Sequence, residues 1–277
     1  MKVIMKKLVD HATNIYSQFG EDGIIEKIFE IIGTQSKLCV EFGAWDGFHM
    51  ANTANLWTRG WKGVLIEGNQ RRYNRLLKNV SEYDCTCICA FVKSSGDSTL
   101  EALLDKEGIT EQIDLLSIDI DGNDYYIFDS LKTIRPRVVI CEHNPTIPAE
   151  IDLVADEGNY FGCSVSALSR VAEEKGYKLV AITETNSFFV LKEYEELFVE
   201  YETRLGKIKN DRYVTYFITS YSGEYVLSKT DLAYGASFPY KRKLIGEHTK
   251  ISFHSTLLRP VYGLIRKAKD FVREQLK

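Results

Sequence analysis

The chain has 277 residues, 44% hydrophobic and 12% aromatic, which is enough apolar material for a large globular core. A formal net charge of −4 argues against a general nucleic-acid binder, because such proteins carry a basic face. No apolar stretch has the length of a transmembrane helix, and the N-terminus lacks the apolar run of a secretory signal. We therefore expect a cytoplasmic protein.

Strand-like and helical patterns alternate along the first two thirds of the chain. The helical spacing of the isoleucines in QFGEDGIIEKIFEIIG (residues 18–33) predicts a first helix that ends at Gly33. Five strand-like runs follow, most of them separated by helical patterns: residues 37–47, 60–69, 85–92, 113–122 and 135–144. Strands that alternate with helices predict a parallel sheet with helices on both faces.

The six cysteines fit a reduced protein. Cys39 and Cys141 lie in apolar strand-like runs, where a free cysteine behaves as a small hydrophobic residue. Cys85, Cys87 and Cys89 share one side of a strand, so a metal–thiolate site is an alternative, although no CxxC pair supports it. We favour buried, reduced thiols.

The predicted sheet ends in a reversal of strand direction. YKLVAIT (177–183) and SFFVLKE (187–193) are separated by three residues, too few for a crossover helix, so the last strand must run antiparallel. A dehydrogenase sheet would continue with parallel strands. The pattern predicts an α/β fold with the Rossmann-like, seven-stranded sheet of class I methyltransferases and its antiparallel last strand.

The pattern changes after residue 195. RYVTYFITSYSGEYVLSK (212–229) suggests two strands around Ser222 and Gly223, and an amphipathic, basic helical pattern begins at Leu257. We divide the chain into a domain at 1–195 and a small C-terminal extension at 196–277 that caps the substrate or mediates oligomerisation. The basic helix could contact a membrane surface, but packing against its own domain or a second subunit is favoured.

Two strand ends carry features of a nucleotide site. VEFGAWDG (40–47) ends the first strand in two glycines, which let backbone amides approach a ligand. Glu67 ends the second strand in GVLIEGN, where an acid can accept both ribose hydroxyls of an adenosyl group. The GxGxxG string of dinucleotide-binding proteins is absent from this turn.

At this point the chain resembles a known family. YSQFGEDGII, VEFGAWDG, GWKGVLIEGN, LLSIDIDGNDYY, VVICEHNP and YFGCSVSAL occur in the order seen in FkbM-like methyltransferases, over residues 16–192. The resemblance implies that S-adenosylmethionine is the cofactor and that a hydroxyl, often on a sugar, is O-methylated. The cofactor-binding residues that it implies are Gln18, Glu21, Glu41, Gly43, Ala44, Asp46, Glu67, Asn69, Phe91 and Asp119. Gln18 and Glu21 can alternatively belong to a helix cap that Ser17 forms with Gly20 and Glu21.

An acidic cluster is predicted where the fourth and fifth strands end. Asp119 and Asp121 share strand parity and point to the same side, while Asp124 can cap the following helix. Because neighbouring parallel strands end at the same edge, Glu142 and His143 are expected beside these aspartates. A buried carboxylate requires a hydrogen-bonding or cationic partner, which points to a ligand or to a network that orders the loops.

We assign chemistry to this cluster as follows. His143 is the candidate general base, with Asp121 and Asp119 as further catalytic residues. Oxygen ligands from Asp121, Glu142 and Asn144 suit a divalent cation such as Mg²⁺ or Mn²⁺, which would lower the pKa of a sugar hydroxyl. The alternative is a purely structural hydrogen-bond network.

The acceptor is predicted to be a carbohydrate, either a sugar nucleotide or a surface polysaccharide. Its expected contacts are Asp124, Asn144, Tyr160 and Phe161, with the two aromatic rings as a platform for a sugar ring. The alternatives are a nucleotide-dependent sugar oxidoreductase or epimerase and a non-catalytic binding module. Nucleic acid and transmembrane partners are not expected, and homo-oligomerisation is left open.

Overall fold

Seven strands form one mixed sheet in the computed structural model, which describes residues 5–221, 223 and 225–228. The strands are β1 (Leu38–Phe42), β2 (Lys62–Ile66), β3 (Cys85–Ile88), β4 (Leu115–Ile118), β5 (Val138–Glu142), β6 (Tyr177–Ile182) and β7 (Asn186–Leu191). Their order in the sheet is β3-β2-β1-β4-β5-β7-β6. This order and the antiparallel β7 confirm the predicted class I methyltransferase sheet.

Helices connect most of the strands and cover both faces of the sheet. They are α1 (Glu21–Ile32), α2 (Ala54–Trp57), α3 (Gln70–Asn79), α4 (Leu100–Lys106), α5 (Asp124–Ser130), α6 (Val165–Glu174) and α7 (Leu205–Ile208). Two short 3₁₀ helices lie at Leu8–His11 and Lys192–Phe198. Of the helices that the structure describes, none combines the length and apolar character needed to cross a bilayer.

The central strand of the sheet is fully buried, and the last strand reverses direction. β1 is buried at all five positions and pairs in parallel with β2 and β4, as expected of a central strand covered on both faces. β7 runs antiparallel to both β5 and β6, with Val138 opposite Val190 and Tyr177 opposite Leu191. The chain reversal between β6 and β7 thus places β7 beside β5, inside the sheet.

The start of α1 is shaped by a buried aspartate. The Asp22 carboxylate accepts hydrogen bonds from the backbone N–H groups of Ile15, Tyr16 and Ser17 and from the Ser17 hydroxyl. The Ser17 Oγ also accepts from the Asp22 N–H at 3.1 Å. The reciprocal cap of Ser17 is therefore formed with Asp22, whereas the alternative sequence interpretation had paired it with Glu21.

The chain divides into two compact units between Val214 and Thr215. Residues 196–214 lie in the first unit, where Phe198, Tyr201 and Ile208 are buried. In the second unit, β8 (Phe217–Thr219) and β9 (Tyr225–Leu227) pair antiparallel. The functional division at 195/196 stays a prediction, and the basic helical pattern from Leu257 lies outside the described residues.

A buried ion pair fastens the amino-terminal edge of the sheet. Arg137 Nη1 lies 2.8 Å from Asp114 Oδ1, and the two side chains are 7% and 0% exposed. The Asp114 carboxylate also accepts from the backbone N–H groups of Gln35, Ser36 and Lys37. Arg137 donates in addition to the carbonyls at the end of α1 and to the Tyr194 hydroxyl. One pair therefore joins α1, β1, β4 and β5.

Replacing Arg137 with methionine should lower the free energy of unfolding by about 3–5 kcal/mol, because Asp114 would be left as a buried charge without its cation. Urea denaturation at neutral pH measures this loss. The matched control is Arg59→Met, which breaks the exposed pair with Glu26 and should cost no more than about 1 kcal/mol. Equal losses in the two variants would contradict a dominant role for the buried pair.

Candidate active site

Gly43 lets the end of β1 approach the end of β4. Its φ is +77°, in the region that favours glycine, and a Cβ at this position would overlap the carbonyl oxygen of Asp119. The turn continues through Trp45, which also has a positive φ of +47°. Only glycine at position 43 therefore allows the first strand to end directly beside Asp119.

Glu67 connects this turn to the end of β2. Its buried carboxylate accepts a hydrogen bond from the Trp45 N–H at 2.9 Å and from the Asn69 N–H at 2.6 Å, one on each oxygen. An ionised carboxylate has about four lone-pair positions, so each oxygen keeps acceptor capacity. Glu67 can therefore hold the two loops together and still accept hydrogen bonds from a bound diol.

An exposed aromatic ring lies next to Glu67. A Cβ at Gly68 would overlap the ring of Phe91, so the ring packs directly on this glycine. Phe91 is nevertheless 69% exposed, and it follows the end of β3. The carboxyl edge of β1, β2 and β3 thus presents a carboxylate beside a flat apolar surface, which fits the ribose and base of an adenosyl group.

Most of the other predicted cofactor-binding residues on the loops after β1 and β2 are buried or hydrogen-bonded within the protein. Ala44 is buried, Asn69 Oδ1 caps α3 by accepting from Arg71 and Arg72, and Asp46 Oδ1 accepts from the N–H groups of Phe48 and His49. Ala44, Asp46 and Asn69 therefore shape the loops around Glu67. The Gln18 side chain is exposed, and no side-chain hydrogen bond restrains it within residues 5–221.

Glu21 and Glu41 are buried and engaged in internal hydrogen bonds. Glu21 accepts from Phe19 N–H, the Thr183 hydroxyl and the Asn186 amide, which attaches the start of α1 to the β6–β7 turn. Glu41 accepts from the Asn52 and Thr53 N–H groups and the Thr53 hydroxyl. Burial raises the pKa of Glu41, and these donors oppose that effect. Both glutamates position loops around the cleft.

Three carboxyl groups converge where β4 and β5 end. One oxygen from each of Asp119, Asp121 and Glu142 lies within 4.8 Å of the others, and we call these residues the acid trio. Burial and the neighbouring charges of Asp124 and Asp121 raise the pKa of Asp119 to about 8. Burial and the charge of Asp119 raise the pKa of Glu142 to about 9. The trio therefore crowds three carboxyl groups together, and the raised pKa values of Asp119 and Glu142 favour their protonated forms at neutral pH.

The chemistry of the acid trio fits a hard divalent cation. Oxygen-only donors at this separation suit Mg²⁺ or Mn²⁺, and a cation would offset the repulsion that raises the carboxyl pKa values. Among the described residues, the trio is the one group of three or more acid, histidine or cysteine side chains whose ligand atoms lie within 4.8 Å of one another. Burial raises the pKa of Cys85 to about 12 and of Cys87 to about 11, which keeps both thiols protonated.

The Asn144 amide holds the loop that carries Phe161. Its Oδ1 accepts from the N–H and hydroxyl of Thr146, and its Nδ2 donates to the Phe161 carbonyl at 2.9 Å. The predicted role of Asn144 as a metal ligand stays a prediction. Asp119, which the sequence interpretation did not include among the metal ligands, contributes a carboxylate close to those of Asp121 and Glu142.

His143 lies below the cleft, in the core of the sheet. The ring is 2% exposed, Nδ1 lies 3.0 Å from the Ser187 hydroxyl on β7, and Nε2 is buried without a partner. Burial, with a smaller contribution from Lys209, lowers the pKa of His143 to about 3. The predicted role of His143 as general base stays a prediction, and it would require the ring to become accessible, because Nδ1 is paired with Ser187 and Nε2 is buried.

Asp124 shapes the turn that presents Asp121. Its buried carboxylate accepts from the N–H groups of Ile120 and Gly122, both at 2.9 Å. Burial raises its pKa to about 6, and these two donors limit the increase. Asp124 therefore holds the turn that precedes α5, and its predicted contact with the substrate stays a prediction.

The predicted aromatic loop packs against the same turn. At Gly122, a Cβ would lie 2.7 Å from the Asn159 carbonyl oxygen and 2.9 Å from the Tyr160 Cα. Tyr160 is 86% exposed, and Phe161 is also exposed. The structure therefore packs the backbone of the loop that carries these two exposed rings against the turn that carries Asp121, and the predicted acceptor platform stays a prediction.

Sequence reasoning missed the polar residues that hold the site from a distance. Asn52 donates to the Ser117 hydroxyl on β4 at 3.0 Å, and Lys209 donates to the Pro145 carbonyl at 3.0 Å. Ser187 holds the His143 ring. These contacts join positions 44 to 65 residues apart along the chain, so no local pattern could have indicated them.

Residues 94–179, which contain the acid trio, match the family profile of the methyltransferase FkbM domain. The match confirms the resemblance that the sequence motifs indicated. The order of the sheet agrees with the fold that this resemblance predicted. A comparison of the sequence with curated proteins finds no match.

Solved structures of methyltransferases are distantly similar to the chain. A S-adenosylmethionine-dependent methyltransferase from Clostridium acetobutylicum ATCC 824 shares 10% identity over 62% of this chain and 90% of that chain, with a TM-score of 0.42. The CurJ carbon methyltransferase shares 10% sequence identity over 61% of this chain and 52% of its own chain, with a TM-score of 0.43. The tRNA (uracil-54, C5)-methyltransferase of Pyrococcus abyssi shares 12% sequence identity over 64% of this chain and 39% of its own chain, with a TM-score of 0.37. At this distance, the substrates of these proteins do not bear on this chain.

We expect the His143 ring to stay neutral down to about pH 4, because its pKa is lowered by burial. A histidine with a lowered pKa supports folding fully above its ordinary pKa of 6.5, and this support is lost as the pH falls from 6.5 towards 3. Ring chemical shifts in NMR spectra, assigned with His143→Gln, measure the titration. A titration of His143 between pH 6 and 7 would contradict the buried, neutral ring.

Proposed function

We propose that this protein transfers a methyl group from S-adenosylmethionine to a hydroxyl of a carbohydrate, either a sugar nucleotide or a surface polysaccharide. The acid trio carries the proposal, because transfer to oxygen requires that the hydroxyl lose its proton. The methyltransferase family match and the sheet order support methyl transfer, and the residues along the carboxyl edge support the choice of cofactor and acceptor.

The cofactor is proposed to lie over β1 and β2. Glu67 would accept the two ribose hydroxyls with the lone pairs that Trp45 and Asn69 leave free, and Phe91 would cover one face of the base. The Gly43–Gly47 turn would approach the methionine portion with its backbone. S-adenosylmethionine supplies an electrophilic methyl group when it is bound.

Asp119 is the residue that we propose as proton acceptor. No side chain or backbone group within residues 5–221 donates a hydrogen bond to its carboxylate, in contrast to Glu41, Glu67 and Asp124. Its pKa of about 8 lies close to neutrality, where a general base combines availability with proton affinity. His143 is not proposed in this role, because its ring is enclosed.

A divalent cation is proposed to bind the acid trio and to assist the same step. When bound, it would lower the pKa of an acceptor hydroxyl. Asp121 and Glu142 would contribute oxygen ligands, while Asp119 would use one oxygen for the cation and the other for the proton. Tyr160 and Phe161 would stack on the apolar face of a sugar ring beside the trio.

Removing the charge of Glu67 should weaken the binding of S-adenosylmethionine. Glu67→Ala is expected to lose roughly 1.5–3 kcal/mol of binding free energy, the scale of hydrogen bonds to a charged group. Isothermal titration calorimetry measures the affinity, and Glu67→Gln tests whether the charge or the shape of the side chain matters. Glu173→Gln, on the exposed face of α6, is the control that should bind normally. Unchanged affinity in a folded Glu67→Ala variant would remove Glu67 from the site.

Binding of Mg²⁺ or Mn²⁺ should release protons at pH 7, because Asp119 and Glu142 have raised pKa values and must ionise to act as ligands. Calorimetry in buffers of different ionisation enthalpy counts these protons, with about one to two expected per cation. Asp121→Asn should weaken cation binding, whereas Asp129→Asn, exposed on α5, should not. Full methyl transfer in excess chelator would instead support a carboxylate that acts alone.

A further inference from the structure

Helix α3 carries a concentration of positive charge that the proposed chemistry does not use. Its sequence, QRRYNRLLKN, contains three arginines and one lysine and no acidic residue. The chain as a whole has a formal net charge of −4, so this helix differs strongly from its surroundings. It begins three residues after Glu67, at the same edge of the sheet as the proposed cofactor site.

One face of α3 packs against the turn that follows β1. Asn79 donates to the Asp46 carbonyl at 2.8 Å, and a Cβ at Gly47 would lie 3.0 Å from both Leu76 and Val80. The guanidinium of Arg72 stacks on the Trp45 ring at 3.6 Å. The side of the helix that carries these residues is thereby occupied by the protein itself.

The opposite side presents Arg71, Arg75 and Lys78, which we call the α3 stripe. Their spacing of four and three residues places them within about 60° of one another around the helix axis. All three are exposed. Consecutive members lie about one turn apart, so the stripe is a line of positive charges parallel to the helix.

Among the described residues, the α3 stripe forms no ion pairs, in contrast to several other surface arginines. Within the described part of the chain, Arg59, Arg170 and Arg204 each lie against a carboxylate. No carboxylate lies within 4.0 Å of a stripe cation in the same residues. A line of like charges without counter-charges is unfavourable by itself and is complementary to an anionic partner.

We propose that the α3 stripe is a docking surface for an anionic glycan, namely a linear carbohydrate acceptor that carries carboxylate groups. The inference rests on the proposed transfer to a carbohydrate and specifies its class. Strands β2 and β4, which α3 and two members of the acid trio follow, lie roughly 10 Å apart across the sheet because β1 separates them. An acceptor that reaches both the stripe and the acid trio is therefore an oligosaccharide or a polymer.

The residues around the stripe favour a glycan over a membrane or a nucleic acid. An interfacial helix needs an outward apolar face, but Leu76 of α3 is buried and Leu77 is its one exposed large hydrophobic residue. Single-stranded nucleic acids bind to aromatic platforms beside basic residues. The half-buried Tyr73 is the aromatic residue of α3, and its hydroxyl donates to the Cys87 carbonyl, so its ring is directed inward. The exposed rings nearby already have partners in the protein, since Trp45 stacks on Arg72 and Phe91 packs on Gly68.

The test measures binding of a fluorescent linear oligogalacturonate to the full chain. We expect binding that weakens with added salt, and no binding of the methyl-esterified oligosaccharide, which has the same sugars without charge. Arg71→Gln/Arg75→Gln should lower the affinity about tenfold, by removing two unpaired charges. The matched control is Lys132→Gln/Arg135→Gln, which removes two exposed charges in the loop before β5 and should leave the affinity unchanged.

Three results would overturn the inference: no binding of the oligogalacturonate, equal losses in the two double variants, or tighter binding of single-stranded RNA or phosphatidylserine vesicles. The outcome is separable from the proposed function. If S-adenosylmethionine binds and a neutral sugar is methylated while the oligogalacturonate does not bind, only the docking surface is wrong. If the oligogalacturonate binds through the stripe but S-adenosylmethionine does not bind, the proposed function is wrong.

Discussion

The structure depends on how buried carboxylates are satisfied at the edges of the sheet. Asp22, Glu41, Glu67, Asp114 and Asp124 are all buried, and each accepts hydrogen bonds from backbone N–H groups of a loop. A buried charge without such donors is costly, so each acid specifies the path of the loop that supplies them. The loops that Asp22, Glu41, Glu67 and Asp124 hold lie around the carboxyl edge of the sheet, whereas Asp114 holds the loop before β1 at the amino-terminal edge. Both edges are therefore held by charge-assisted hydrogen bonds as well as by apolar packing.

Against this background, Asp119 is the exception that indicates function. Its neighbours are other acids, and its pKa is raised to about 8, whereas Glu67 and Asp124 are surrounded by donors. A fold gains no stability from a carboxyl group placed in this way. The interaction that such a site lacks can come from a cation, from an acceptor hydroxyl or from both, and each agrees with transfer of a methyl group to oxygen.

In the proposed site, the residues that position the acids differ from the exposed residues that would contact ligands. Gly43 and Gly122 allow close backbone contacts that position Asp119 and Asp121. Phe91 and Tyr160, in contrast, are exposed and lie on loops. This arrangement keeps the reacting groups in place while surrounding loops contact the ligands, which is the usual division between a scaffold and its binding loops.

Local periodicity and the rule that parallel strands end at one edge were enough to predict the sheet, the three-residue turn that reverses β7 and the convergence of acids at the carboxyl edge. Only the tertiary structure shows the partners of His143, Asn144 and Asp124. His143 is enclosed by Ser187, 44 residues away, and Asn144 holds Phe161, 17 residues away. Whether the cations of α3 are paired also depends on the folded surface. The physical reason is that burial and hydrogen-bond partners, which set the charge and accessibility of a polar side chain, come from segments distant along the chain.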